Sequence, residues 1–300
     1  MATTWDAEGL AAAWMTAMRR GDWCAAWEVS DLVLRQHVQR GPCLDWPRHE
    51  QWVWDGRPLA GKRVLVRCYH GLGDTIMFAR YLPLLAGVAG QVVVWAQPTL
   101  IPLLETMRAP VAFLPLHDGT PEVDFDVDIE IMELPHALRC SPLELAARVP
   151  YVAVPPAPRP ANGLCVGLVA RAGTWDSRRN VSHDLIRGLA DVPGVSAFNL
   201  QVEQPIEGVC DASTADVLEL ASRVQSLDVV VSVDTMVAHL AGALGVETWT
   251  LLRYEADWRW MVDRDESPWY PSMRLFRQPR PEAWGPVVER VREVLAGRAG

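Results

Sequence analysis

Two short segments bring together groups that could handle a charged leaving group. In VVVSVDTMVAHLAGALGV, residues 229–246, β-branched and small residues give way to a helical spacing of apolar ones. Asp234 and Thr235 stand at the change, with His239 four residues after Thr235. A strand that turns directly into a helix leaves backbone N–H groups without intrahelical partners at its mouth. The helix dipole adds partial positive charge there. The amides of Met236 and Val237, the Thr235 hydroxyl and the His239 imidazole could thus address one anion, since Thr235 and His239 share a face. Asp and Thr are also favoured N-caps, and a single helical His is commonly a satisfied core residue. Both readings stay open at this level.

The second segment is HGLGD, residues 70–74. Gly71 and Gly73 permit a tight turn and close approach of a ligand to the backbone. Asp74 opens the helix that follows, where its plain role would be a cap. The dinucleotide-binding fingerprint is absent, because Ile76 stands where the third glycine would fall. ARAGTWDSRRN, residues 170–180, offers the cations Arg171, Arg178 and Arg179 after another strand candidate. Asp124, Asp126, Asp128 and Glu130 alternate on one strand face. Such a row is expected to be a solvated edge that blocks further pairing, and it lacks the His or carboxamide partner of a metal site. Trp258, Trp260 and Trp269 sit in the long connection 253–271 and could stack on a ligand or form the core beneath that loop.

These groups need a frame, and the rhythm of the chain supplies one. Residues 7–38 read as two helices through Leu10, Trp14 and Met18, then Trp23, Trp27, Leu34 and Val38, with RRGDW as the turn. From residue 57 strands and helices alternate: KRVLVRCY, QVVVWA, VAFLPL and VDFDVDIEI, with Pro83 dividing the helix after HGLGD. Four prolines between 155 and 160 form a linker, after which LCVGLVA, VSAFNLQ, VVVSVD and TWTLL repeat the pattern. Alternating βα units predict parallel sheets with helices on their faces, here an α/β chain of two Rossmann-like units with a cleft between them. The expected boundaries are a helical hairpin over 1–45, a first unit over 46–155, a second over 160–280, and a last helix over 281–300 free to pack back on the first unit.

Composition narrows the duties open to such a chain. Half of its 300 residues are apolar, enough for sizeable cores. A formal net charge of −9 disfavours broad binding to a nucleic-acid backbone. The six cysteines have no CxxC spacing, and reduced thiols in a cytoplasm are the simplest expectation. MATTWDAEGL has no apolar core and does not read as a signal peptide, and no run is long enough for a transmembrane segment.

The phrase strand-DTxxxHLAxALG resembles the signature of the heptosyltransferase family, glycosyltransferase family nine. GLGDTIMFARYLPLL, DWRWMVDRDESPWYP and MRLFRQP are similar to a bacterial branch in which tetratricopeptide repeats precede the transferase domain. The resemblance implies a GT-B arrangement and an inverting transfer of a sugar from a nucleotide diphosphate to a glycan or protein hydroxyl, with no metal and no cofactor. It implies that Asp74 is the general base. It further implies that Gly71, Gly73, Asp234, Thr235, Met236, Val237 and His239 hold the nucleotide sugar with Arg178 or Arg179, ahead of Arg171. Relatives that use lipid-linked acceptors imply contact with the inner membrane. Related chains carry tryptophan-glycine-asparagine where Arg171, Ala172 and Gly173 stand, and a different loop near Glu203 and Glu207. An epimerase of the same architecture and a non-catalytic scaffold with a degenerate site are the alternatives.

Overall fold

The computed structural model of the protein describes residues 7–40, 43, 46–173 and 175–299. Residues 1–6, part of the stretch that does not read as a signal peptide, lie outside the described residues. Among the described residues no helix is long and apolar enough to cross a membrane.

Two parallel sheets form where the β-branched runs predict them. The first contains β1 (Arg63–Arg67), β2 (Gln91–Ala96), β3 (Ala112–Pro115) and β4 (Val127–Glu130), in the order β3-β2-β1-β4. The second contains β5 (Leu164–Val169), β6 (Val195–Asn199), β7 (Cys210–Asp211), β8 (Val229–Val233), β9 (Thr248–Leu252) and β10 (Met273–Arg277), in the order β10-β9-β8-β5-β6-β7. Every strand pairing within these sheets is parallel. The chain changes direction across each sheet once, between β1 and β4 and between β5 and β8. Ligands of open α/β sheets settle beyond the strand ends at such switch points. HGLGD follows β1, the 170–180 loop follows β5 and Asp234 follows β8, so both candidate segments lie at switch points.

Pro83 divides the helical stretch after β1 into Leu72–Ala79 and Leu82–Val88. The acidic row on β4 is not a uniformly solvated edge. Asp126 pairs with Arg63 at 2.9 Å and Asp128 with Arg67 at 2.8 Å, while Glu130 is buried at the strand end. β1 supplies an arginine to Asp126 and another to Asp128, which the spacing on one strand could not reveal.

The last helix, Trp284–Ala299, corrects an expectation. It buries Val287, Val291 and Leu295 with Phe276 and Val231 on the second sheet, and Arg298 pairs with Glu247. It therefore belongs to the second unit and does not return to the first.

A second correction concerns the cleft. One apolar core runs from Val66 and Phe78 of the first unit to Leu220 and Ala241 of the second. Helix Leu72–Ala79 lies directly on helix Met236–Ala243. Gly73 permits this, since a Cβ there would stand 2.9 Å from His239 Cδ2 and 3.3 Å from Met236 Cα. The missing side chain lets the two site helices close the seam between the units.

The N-terminal helices Ala7–Arg20 and Trp23–Arg40 span that seam. Asp31 bonds to His136 at 2.8 Å and to Arg139 at 2.5 Å in the first unit. On the other side Trp14 meets Trp258 edge-on at 5.1 Å, and Val262 N–H donates to Arg19 C=O at 3.1 Å. A single hairpin, too short to be stable alone, is thus held by both units.

Candidate functional site

Asp74 is held by its own turn. Gly71 caps helix Leu72–Ala79, and its N–H donates to Asp74 Oδ2 at 3.1 Å. Asp74 Oδ1 accepts from Arg259 Nη2 at 2.5 Å, a contact from the connection that follows β9. Arg259 Nη1 donates to Asp257 Oδ1 at 2.8 Å. Burial works against the Arg259 charge, but Asp257, Asp74 and Asp234 outweigh it and hold the guanidinium firmly protonated.

Near Asp74, burial raises two carboxyls at and just after the end of β4. Burial pushes the Glu130 carboxyl well above the usual range, against the pull of the Met132 and Tyr69 amides it accepts from. Glu133 is pushed up to about 8 by burial, although it accepts from the Glu130 and Trp54 amides. His70 is lowered by burial, with Asp74 opposing and Arg259 assisting that shift.

At the second switch point Thr235 caps helix Met236–Ala243, its Oγ1 accepting from Val237 N–H at 3.2 Å. The Val237 amide is therefore already occupied. Burial, the largest cause, raises the Asp234 carboxyl, and nearby Asp257 adds to it. His239 is buried, stacks on Trp260 at 5.3 Å and meets the Tyr270 hydroxyl at 3.1 Å through Nδ1. Burial lowers it to about 3, so the imidazole is neutral at ordinary pH. This geometry fits the reading of His239 as a satisfied core residue, and any part it takes in anion binding would be as a neutral imidazole.

The three loop arginines part company. Arg179 Nη1 donates to the Asp234 carbonyl at 2.9 Å. Arg178 is exposed and pairs with Asp176 at 2.8 Å. Arg171 is exposed, and its amide donates to Gln201. Arg178, Arg179, Asp234 and Asp257 line a cavity of about 210 Å³ together with Arg253 and Trp175. A larger one of about 550 Å³ lies beneath the hairpin, bounded by His70, Phe78, Glu130, Met132 and Trp258. Arg259 lines neither cavity but contacts one residue of each, Asp257 and Met132. It touches Asp257 on one side, Asp74 on the other, and lies 3.8 Å from Met132 Sδ.

Sequence reasoning missed Arg259, Arg253 and the exposed Trp175. DWRW does signal Arg259, but nothing in the spacing tells that a residue 185 positions away completes its ion pair. Among the described residues no group of three or more His, Cys, Asp or Glu is arranged to hold a metal ion.

No family model matches the chain. Protein FlbA of Caulobacter vibrioides is 25% identical over 286 residues, covering 81% of this chain and 48% of that protein. The chain thus spans about half the length of that curated relative. A glycosyl transferase family 9 structure from Veillonella parvula superposes with a TM-score of 0.57 at 12% identity, over 81% of this chain and 99% of that one. E. coli heptosyltransferase WaaC with ADP-2-deoxy-2-fluoro heptose gives 0.53 at 14%, over 79% and 100%. The iron-containing dodecameric glycosyltransferase TibC from enterotoxigenic E. coli gives 0.55 at 12%, over 81% and 78%. The chain has the heptosyltransferase-like fold of two Rossmann-like sheets shared by these structures.

Proposed function

We propose that the protein is an inverting glycosyltransferase acting in the cytoplasm. It moves a sugar, a heptose by its likeness to WaaC, from a nucleotide diphosphate to a glycan or protein hydroxyl. The observation that carries this reading is Arg259, which links the Asp74 carboxylate to Asp257 at the edge of the smaller cavity. In this reading the unit over 46–155 receives the acceptor and the unit over 160–280 binds the donor.

The acceptor oxygen attacks the anomeric carbon on the face opposite the diphosphate, and its proton passes to Asp74. The bond from the anomeric carbon to the phosphate oxygen breaks, and its electron pair leaves with the diphosphate. Arg179, Arg253 and Arg259 meet the growing charge, with the dipole of helix Met236–Ala243 and the Thr235 and Met236 groups at its mouth. Both Asp74 oxygens are engaged here, one by Gly71 and one by Arg259. Turnover therefore requires Arg259 to exchange Asp74 for the donor phosphates, and Gly73 to part from Met236 as the units shift. The reaction so written uses no cofactor; the iron named for TibC is said of that protein alone.

The closed seam favours one second reading, a binding protein that holds a nucleotide sugar without transferring it. Calorimetry against ADP-, GDP- and UDP-sugars, followed by product analysis with and without acceptors, separates the two. Asp74→Asn should keep donor affinity and lower turnover by about 10²- to 10⁴-fold. Unchanged turnover would remove Asp74 from the mechanism. Epimerised donor without acceptor would replace transfer with epimerisation.

A further inference from the structure

Side-chain donors at the mouth of helix Met236–Ala243 are largely spent within the protein. Thr235 Oγ1 accepts from the Val237 amide at 3.2 Å and meets Ser232 Oγ at 3.3 Å. Ser232 gives its own proton to the Val233 carbonyl at 2.7 Å, so the proton between the two hydroxyls comes from Thr235. His239 differs, because its two ring nitrogens face different surroundings. Nδ1 meets the Tyr270 hydroxyl at 3.1 Å, while Nε2 stands 3.9 Å from Asp234 Oδ1, beyond hydrogen-bond reach. Cδ2, the carbon beside Nε2, is the atom that Gly73 approaches across the seam. The shift that parts Gly73 from Met236 would uncover this edge of the ring.

What Nε2 can offer depends on which nitrogen carries the proton, and that is set by the bond the other nitrogen makes. Arg80 of the first unit bears on the choice. It is buried among aromatic rings, with its guanidinium carbon 4.5 Å from the Tyr270 ring centre and 4.9 Å from that of Tyr151. Its nitrogens donate to the Met77 and Trp269 carbonyls and to the Tyr151 hydroxyl, and Tyr151 donates to the Ile76 carbonyl at 2.9 Å. Burial, the largest cause, pushes the Tyr270 hydroxyl well above its ordinary value, so the phenol keeps a proton to give. The Arg80 cation pulls the other way, which makes that phenol a stronger donor. Were Nδ1 to donate instead, a bare Nε2 lone pair would face Asp234. Gly242 lets Tyr270 reach His239, since a Cβ there would stand 2.6 Å from the Tyr270 ring, and stacking on Trp260 fixes the imidazole plane.

We propose that Tyr270 is a positioning residue for His239. By donating to Nδ1 it holds the imidazole proton on Nε2. A neutral N–H is thereby presented at the helix mouth as a hydrogen-bond donor to the leaving diphosphate. A cation of the first unit thus tunes a donor group of the second, through the ring that lies between them. The role toward the diphosphate rests on the transferase reading; the place of the proton does not.

The test is nitrogen NMR of the full chain grown with isotope-labelled histidine, the signal being assigned by its loss in His239→Gln. In the unaltered protein Nε2 should carry the proton, and Nδ1 should be bare and hydrogen-bonded. Tyr270→Phe, which keeps the ring against Gly242, should move the Nδ1 signal to that of an unbonded nitrogen. It should also weaken the tightest binder among ADP, GDP and UDP by about tenfold in calorimetry. Tyr151→Phe loses a hydroxyl of the same network but leaves Tyr270 its phenol. That variant should lower the melting temperature and keep both the Nε2–H form and the diphosphate affinity. A proton on Nδ1, an unmoved Nδ1 signal or full diphosphate affinity in Tyr270→Phe, or equal losses of affinity in the two variants would overturn the proposal. If none of the three diphosphates binds the unaltered protein, the transferase reading fails, and the nitrogen spectra alone decide whether Tyr270 places the proton.

Discussion

Asp74 and Arg259 meet at 2.5 Å although they lie on segments that follow strands of different sheets. The pair is largely buried, with side-chain exposures of 24% and 12%, and Arg259 carries Asp257 on its other nitrogen. One cation therefore neutralises two acids at the seam, where helix Leu72–Ala79 lies on helix Met236–Ala243.

Removing Arg259 should expose this dependence. In Arg259→Gln two carboxylates face each other without their cation, and the loss should be on the order of 2 kcal/mol. That lies below the roughly 3–5 of fully buried pairs because Asp257 is a third exposed. Urea denaturation measures it. The double variant with Asp257→Asn should recover part of the loss, and a double variant as unstable as the single one would show that the acids do not repel.

Two buried groups set opposite pH limits on stability. The folded Glu133 carboxyl titrates near 8 against an ordinary 4.5, so its contribution is complete below 4.5 and is lost as pH rises through 8. His239 titrates near 3 against an ordinary 6.5, so its contribution is present above 6.5 and is lost as pH falls toward 3. Glu133→Gln should flatten the decline between about pH 5 and 8, and His239→Gln the decline between about pH 6 and 4. Melting temperatures across that range check both; slopes unchanged in either variant would contradict the assignment.

Gly73→Ala should loosen the seam. Its Cβ would stand 2.9 Å from His239 Cδ2, and overpacking of this kind costs about 1–3 kcal/mol. Gly87→Ala is the control, since nothing lies within 4 Å of the added carbon. A helical alanine there should stabilise by about 0.5–1 kcal/mol. Equal melting temperatures for the two variants would mean that the closed seam does not depend on Gly73.

Trp175 borders the smaller cavity with 83% of its surface exposed. Replacing it by Ala should leave the melting temperature unchanged. If the ring stacks on the donor base, donor affinity should fall by about 1–3 kcal/mol, read by calorimetry. Unaltered affinity would place the base elsewhere.

Most of the frame was legible in the chain because its signals are local. β-branched runs gave β1, β2, β5, β8 and β9, and Pro83 ended one helix and began the next. β7 and β10 escaped, the first being two exposed residues and the second an edge strand broken by Arg274 and Arg277. The candidate site was legible in the same local sense. HGLGD and VDT announced strand-to-helix turns, and tertiary structure put both at switch points. What only the folded chain decided is which charges meet. Asp74 with Arg259, Glu130 with the Tyr69 amide and His239 with Trp260 and Tyr270 are contacts between distant segments. Residue type and spacing fix the backbone's local choices, whereas burial and partner geometry fix a group's charge. Those quantities exist only after the sheets have packed.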